Sequence, residues 1–515
     1  MDRWADGQRV IRRLQRFARV VALLVTVHLP IGPAADLHAQ SPLAHALDAR
    51  LDQPPFDRLL WGVAVLDDRG RVLYARNAGR LFIPASTAKV AVSAVAAARL
   101  PPEWKVRTSL YATGPVHDGI LRGDLILYGR GDPSWSRRCY GVDTTQPGVC
   151  EGEPMWALRR LADSLRVRGL RTVTGNLVGD GSWLESPLVH PAWENYDLNW
   201  WYAAPVSGLG FNDNSVDLTW GAGPGVGSQP AVSIAPAFAP VTLENRAVTT
   251  PGDTGTTIDF FRDPGTLHIR AEGRVALTGR GRTEYFALPD PDYYAAVALR
   301  AALVEAGVTV EGAVRSTSDS LAYAPARAGL PLAEVTSRPL RDWLFPILNT
   351  SQNWFAEMLL KQLGRRFGRA GTWREGLTVE RRFLIDSLGI DSTQLALVDG
   401  SGLANSNLVT PLALARLLDA MRRHPRSEPF LAALPRSGSR GSLARRFIGT
   451  PAEGRVLAKP GSIARVNGLA GYLELDRGMT VTFAVLANHH TLAGTAVTAR
   501  IDSLIVDLAR QLAAR

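Results

Sequence analysis

The apolar and polar positions of this chain change rhythm twice. Residues 60–77 alternate, with apolar runs at 63–66 and 72–74 flanking the polar turn Asp67-Asp68-Arg69-Gly70, which predicts a β-hairpin. After Pro84 an alanine-rich run from about 86 to 100 is apolar on all sides, which predicts a buried helix. From about 106 to 330 short strand-like runs alternate with turn signals such as Gly129-Arg130-Gly131-Asp132-Pro133 and Thr174-Gly175-Asn176. Helical periodicity in that stretch is confined to 155–168 and 292–307. Beyond 331 it returns, at 340–348, 354–363, 378–388, 411–421 and 495–512, with strand-like runs at 455–459, 466–475 and 479–487. The expectation is an α+β protein: a helix-and-antiparallel-sheet domain in two parts, 40–105 and 332–515, interrupted by a β-rich insertion over 106–331.

Residues 1–39 read as an export signal. Six arginines precede a short apolar run over 20–29, and Leu37-His38-Ala39 before Gln40 forms a cleavage site. The run is too short for a confident membrane span, and an uncleaved, tethered signal is the alternative. Cleavage would remove six arginines and three aspartates, leaving about +7 of the formal +10 on the remainder. That excess is scattered as single arginines and short pairs, which suits a polyanionic neighbour such as a cell wall or simply a solvated face. No basic stripe interleaved with aromatics argues for nucleic acid. Cys139 and Cys150 are the only cysteines, and in an exported protein a disulfide between them is expected. Two cysteines without a histidine cluster make a poor zinc site, and His489-His490 reads as incidental, so no metal or cofactor is implied.

Of 58 basic residues only Lys89, Lys105, Lys361 and Lys459 are lysine. Arginine stays charged at any working pH, whereas a desolvated lysine can lose its proton and act as a base. Lys89 follows Ser86 by three residues, so the two share one face of a helix whose N-terminal field favours a developing alkoxide. Burial would lower the lysine's pKa. Taken alone, the pair is also compatible with Ser86 as a helix cap.

Three motifs stand in order: Ser86-x-x-Lys89, Ser351-x-Asn353 and Lys459-Pro460-Gly461. This triple is the signature of penicillin-binding proteins and class A β-lactamases. Over nearly all of the chain past residue 39, the sequence resembles the D-alanyl-D-alanine carboxypeptidase/endopeptidase family of penicillin-binding proteins, of the low-molecular-mass type with a large inserted domain. Further matching stretches are Gly131-Asp132-Pro133, Ala203 to Ser207, Ala356-Glu357-Met358-Leu359 and Asp399-Gly400-Ser401-Gly402-Leu403. The resemblance implies a β-lactamase/transpeptidase-like fold, peptidoglycan stem peptides as substrate and β-lactams as acylating inhibitors. It implies no oligomeric state. Ser86 would be the nucleophile, Lys89 its base and Ser351 the proton relay to the leaving amine. Asn353 would hold Lys89 and the substrate amide, and Lys459 the terminal carboxylate. The backbone N–H groups of Ser86 and Ser462, beyond Gly461, would form the oxyanion hole.

Two positions depart from the pattern. Pro460 replaces the usual threonine and brings neither hydroxyl nor N–H; Ser462 compensates if its hydroxyl points into the site. Gln352 replaces the usual aspartate. Asp399 to Leu403 reads as a structural turn, Glu357 as a packing or hydrogen-bonding residue, and Lys105 and Lys361 as surface residues. The competing functions are a β-lactamase, which lacks a clear carboxylate to activate a deacylating water, and a decayed cell-wall-binding protein.

Overall fold

A computed structural model of the chain describes residues 41–136 and 153–513. The expected export signal and the expected Cys139–Cys150 disulfide lie outside the described residues. A central antiparallel sheet runs in the order β2-β1-β5-β4-β3, formed by β1 (Leu60–Leu66), β2 (Val72–Arg76), β3 (Val456–Ile463), β4 (Val466–Glu474) and β5 (Thr480–Asn488). The first two strands and the last three thus meet across almost the whole length of the chain, β1 pairing with β5 from Leu60↔Asn488 to Leu66↔Thr482.

Both faces of this sheet are buried, which is why its strands read as nearly continuous apolar runs. Successive side chains point to opposite faces. Val63, Val65, Phe483 and Val485 face one apolar core, and Ala64, Leu66, Ala484 and Leu486 face another. The first core is closed by α1 (Pro42–Leu51), capped by Ser41, and by the C-terminal α7 (Gly494–Ala513). The second is closed by α2 (Lys89–Arg99), α3 (Leu340–Leu348), α4 (Asn353–Phe367), α5 (Trp373–Arg382) and α6 (Pro411–Arg423).

Local signals account for most helix ends. Thr410 caps α6, accepting from Ala413 N–H at 3.1 Å, with Pro411 at the first helical position. The helix expected at 378–388 begins earlier, at Trp373, because Thr372 caps it and accepts from the N–H of Glu375, a capping-box spacing. The helix expected from about 86 is split. Ala85–Ala88 form a 3₁₀ turn, and the α-helix begins at Lys89.

Between Val106 and Ser337 the chain leaves this framework and returns side by side. Ser337 N–H donates to Val106 O at 2.9 Å, and Val106 N–H donates to Ser337 Oγ at 3.0 Å. The excursion carries a mixed five-stranded sheet, several smaller sheets and the helices Trp156–Val167 and Pro291–Glu305 around its own apolar core. Three consecutive residues, Asn212, Asp213 and Asn214, adopt left-handed backbone conformations (φ 52°, 54° and 50°). Asn and Asp tolerate that region better than other L-residues. Among the described residues no helix is long and apolar enough to cross a membrane.

Removing a large side chain from the sheet tests this packing. Phe483 is fully buried against α1 and α7, so Phe483→Ala is expected to cost about 3–5 kcal/mol. The effect would be read as a clear fall in the thermal unfolding midpoint; an unchanged midpoint would mean that the two terminal helices do not close this face.

Candidate active site

The turn Ala85–Ala88 is pinned from two directions, and this places Ser86 before any chemistry is considered. A Cβ at Gly461 on β3 would lie 3.1 Å from Ser86 N and 2.7 Å from Pro84 O. A Cβ at Gly402, which has φ +78°, would lie 1.9 Å from Ala85 O. Both backbones approach closer than any side chain permits. Ser86 is left half-buried at the floor of a cleft of about 460 Å³, which Ser351, Asn353 and Ser462 also line.

Lys89 lies one turn further in and is fully buried. Its Nζ is 2.9 Å from Ser86 Oγ, 2.7 Å from Asn353 Oδ1 and 2.7 Å from the Ser401 carbonyl. Asn353 Oδ1 and the carbonyl can only accept. A neutral amine can serve them with its two hydrogens and turn its lone pair to the Ser86 hydroxyl, while an ammonium can donate to all three groups. Burial pushes Lys89 down to about 7, against the pull of the Glu357 and Asp399 carboxylates, which raise it.

The SxN segment enters from the turn between α3 and α4. Pro346 near the end of α3 accepts from Gln352 N–H and Thr350 Oγ1 through its carbonyl. Ser351 sits there at φ +68°, a strained conformation for a residue with a side chain. Its Oγ accepts from Lys459 Nζ at 2.9 Å, and Lys459 also donates to Pro460 O at 2.7 Å. Lys459 is fully buried; desolvation above all, with the neighbouring charges of Lys89 and Arg446, holds its pKa well below the ordinary lysine value. Gln352 is turned away from the cleft, and its Nε2 donates to Asp213 Oδ2 at 3.1 Å. Gln352 therefore does not line the cleft.

The residues brought together at the cleft are therefore Ser86, Lys89, Ser351, Asn353, Lys459, Gly461 and Ser462. The inserted segment supplies one wall, with Glu194, Asp197, Trp201 and Tyr202 lining it. Tyr202 O accepts from Asn353 Nδ2 at 2.8 Å, so this wall also orients Asn353. Glu194 is bridged by Asn405 Nδ2 at 2.8 Å, and with Asp197 it makes that end of the cleft acidic.

One sequence expectation is corrected and one is extended. Lys361 is not a surface residue: it is fully buried, donates to Pro187 O and Val206 O at 3.1 Å each, and lies 4.3 Å from the centre of the Trp373 ring. The inserted segment covers this face of α4 and offers carbonyls to the amine; burial lowers its pKa to about 7. The Asp399–Leu403 turn is more than a turn, since its Ser401 carbonyl is one of the three groups on Lys89. Glu357 holds that turn, accepting from Ser401 N–H at 2.7 Å, Gly400 N–H at 3.0 Å and Trp373 Nε1 at 2.7 Å. Burial and the Asp399 charge push Glu357 up to about 7, and its donors pull the other way. No local sequence signal marks this role, because Glu357 and the two turn N–H groups are brought together only by the fold.

The D-Ala-D-Ala carboxypeptidase 3 (S13) family matches residues 43–511. A "D-alanyl-D-alanine carboxypeptidase" of Actinomadura sp. (strain R39) is 32% identical over 521 aligned positions, covering 96% of this chain and 90% of that protein. "Carboxypeptidase DacB" of Mycolicibacterium smegmatis is 27% identical, covering 92% and 85%. The fold matches the crystal structure of penicillin binding protein 4 (dacB) from Haemophilus influenzae, with a TM-score of 0.78 at 23% identity over 91% of this chain and 99% of that one.

The contacts around Lys89 yield a signed prediction. Its base form predominates above about pH 7, so the reactivity of Ser86 toward an acylating probe should rise through that pH. Glu357→Gln removes a carboxylate that raises the lysine's pKa, so the pH of half-maximal reactivity should fall. A shift to higher pH, or none, would mean that Glu357 does not act electrostatically on Lys89.

Proposed function

The chain belongs to the D-Ala-D-Ala carboxypeptidase 3 (S13) family, and on that premise we propose that it is an exported DD-peptidase working through a Ser86 acyl-enzyme. It is a serine D-Ala-D-Ala carboxypeptidase and penicillin-binding protein acting on peptidoglycan. The observation that carries the finer reading is the fully buried Lys89 amine, 2.9 Å from Ser86 Oγ, with acceptors for both remaining hydrogens.

In the proposed first step Ser86 gives its hydroxyl proton to neutral Lys89 while its Oγ attacks the carbonyl carbon of the penultimate D-alanine. The tetrahedral oxyanion faces the N–H groups of Ser86 and Ser462. Register supports the second donor. Ala458 N–H on β3 donates outward to Pro435 O at 3.2 Å, so the backbone nitrogens at 460 and 462 face the same open side of this edge strand. Removing one such donor typically costs about 2.7–4 kcal/mol in an acyl-transfer site.

Ser351, whose Oγ accepts from Lys459, keeps its own proton to pass to the leaving amine, and Lys89 re-protonates it. The C–N bond breaks, D-alanine departs and water hydrolyses the ester. Lys459 faces the terminal carboxylate. Burial favours its neutral form in the free site, and an arriving carboxylate restores the charged form by pairing with it. β-Lactams would acylate the same serine and leave it blocked.

Two variants test this reading, with residues 40–515 and a peptide ending in D-Ala-D-Ala. Ser86→Ala should release no D-alanine. Lys89→Arg keeps a cation but cannot serve as a base, and should lose about 10²–10⁴-fold in rate. Arginine functioning at position 89 would show that the site needs a charge and not a proton acceptor.

A further inference from the structure

On the reading just given, on which this inference rests, Pro460 removes a hydroxyl that would otherwise meet the substrate's terminal carboxylate. The sheet tolerates proline there because position 460 presents its nitrogen to the open side of edge strand β3, so no ladder bond is lost. Ser462, two residues on, lies on the same strand edge, is exposed and lines the cleft.

Directly across the ladder from Ser462 is Asn467. Its Nδ2 donates to Ser462 Oγ at 3.3 Å and to Thr498 Oγ1 on α7 at 3.2 Å. Its Oδ1 lies 2.9 Å from His490 Nε2. With the amide oxygen turned to His490, the contact takes a proton on His490 Nε2 and directs the amide's NH₂ toward the serine. Asn467 and His490 are buried, at 3% and 5% exposure. His489 precedes the contact at φ +56°, which turns the chain at the end of β5. This is a built polar chain beneath an exposed hydroxyl. With its oxygen engaged from below, Ser462 has its proton left to donate into the cleft.

We infer that His490 and Asn467 are positioning residues that hold Ser462 as the hydroxyl donor to the terminal carboxylate, in place of the donor lost at Pro460. His490 touches neither substrate nor reacting atoms; it acts through the amide. The histidine pair read from sequence as incidental thus divides into a turn residue and the anchor of the carboxylate site.

The test compares kcat/KM on a peptide ending in free D-Ala-D-Ala with its C-terminal amide. Ser462→Ala and His490→Ala should each lose about ten- to a hundredfold on the free acid, chiefly through KM, as expected for one charge-assisted hydrogen bond. His490→Ala should match the wild type on the amide, which also shows that it folds. His490→Gln keeps an N–H donor and should retain activity on the acid. Adding Pro460→Thr to His490→Ala should restore most of the loss. Equal losses on acid and amide, or no restoration by Pro460→Thr, would overturn the relay alone. Wild-type protein cleaving neither peptide would overturn the peptidase reading and the relay with it.

Discussion

One buried amine organises this molecule. Lys89 Nζ meets Ser86, Asn353 and Ser401, which come from three separate stretches of chain. Desolvation in that position disfavours the ammonium, against the pull of the Glu357 and Asp399 carboxylates. Burial brings its pKa down to about 7, and the neutral form this makes available is what a proton-abstracting base requires. Around it the fold is arranged for dryness and fit: two glycines let neighbouring backbones press on the Ser86 turn, and α2 is apolar on every side. The inserted segment reaches back through Tyr202 to orient Asn353, and through Asp213 to hold Gln352 out of the cleft. It therefore does structural work at the site in addition to forming a wall of the cleft.

The second buried lysine, Lys459, is held below the ordinary lysine value by desolvation above all, with the charges of Lys89 and Arg446 adding to it. Two buried amines close together disfavour each other's charge. On the proposed reading, a substrate carboxylate entering beside Lys459 favours its charged form.

Much of this was legible from sequence because it rests on short-range rules. Alternation marked the first hairpin, apolar periodicity the helices beyond 331, and four surviving lysines in an arginine-rich chain directed attention to Lys89 and Lys459. The three motifs named the cleft residues. What was not legible depended on contacts between distant segments. Lys361 looked like a surface lysine because nothing local shows that the inserted segment covers α4. Glu357 and the Ser401 carbonyl gave no sign of reaching Lys89, since a backbone carbonyl carries no sequence signature. His490 was passed over because its partner, Asn467, lies on the neighbouring strand. The start of α5 was missed for a different reason: Thr372 and Glu375 are a local capping signal, obscured by the glycines and arginines around them.

The scarcity of lysine makes the central claim directly measurable. With only four lysines in the chain, uniform ¹³Cε-lysine labelling gives a small set of resonances, each assignable by a single Lys→Arg variant. A pH titration should show the Lys89 signal changing with a midpoint near 7, in line with a buried amine held in its base form. A Lys89 signal that stays in the ammonium position to above about pH 9, close to the ordinary lysine range, would contradict the account, because the residue could then not take the proton of Ser86.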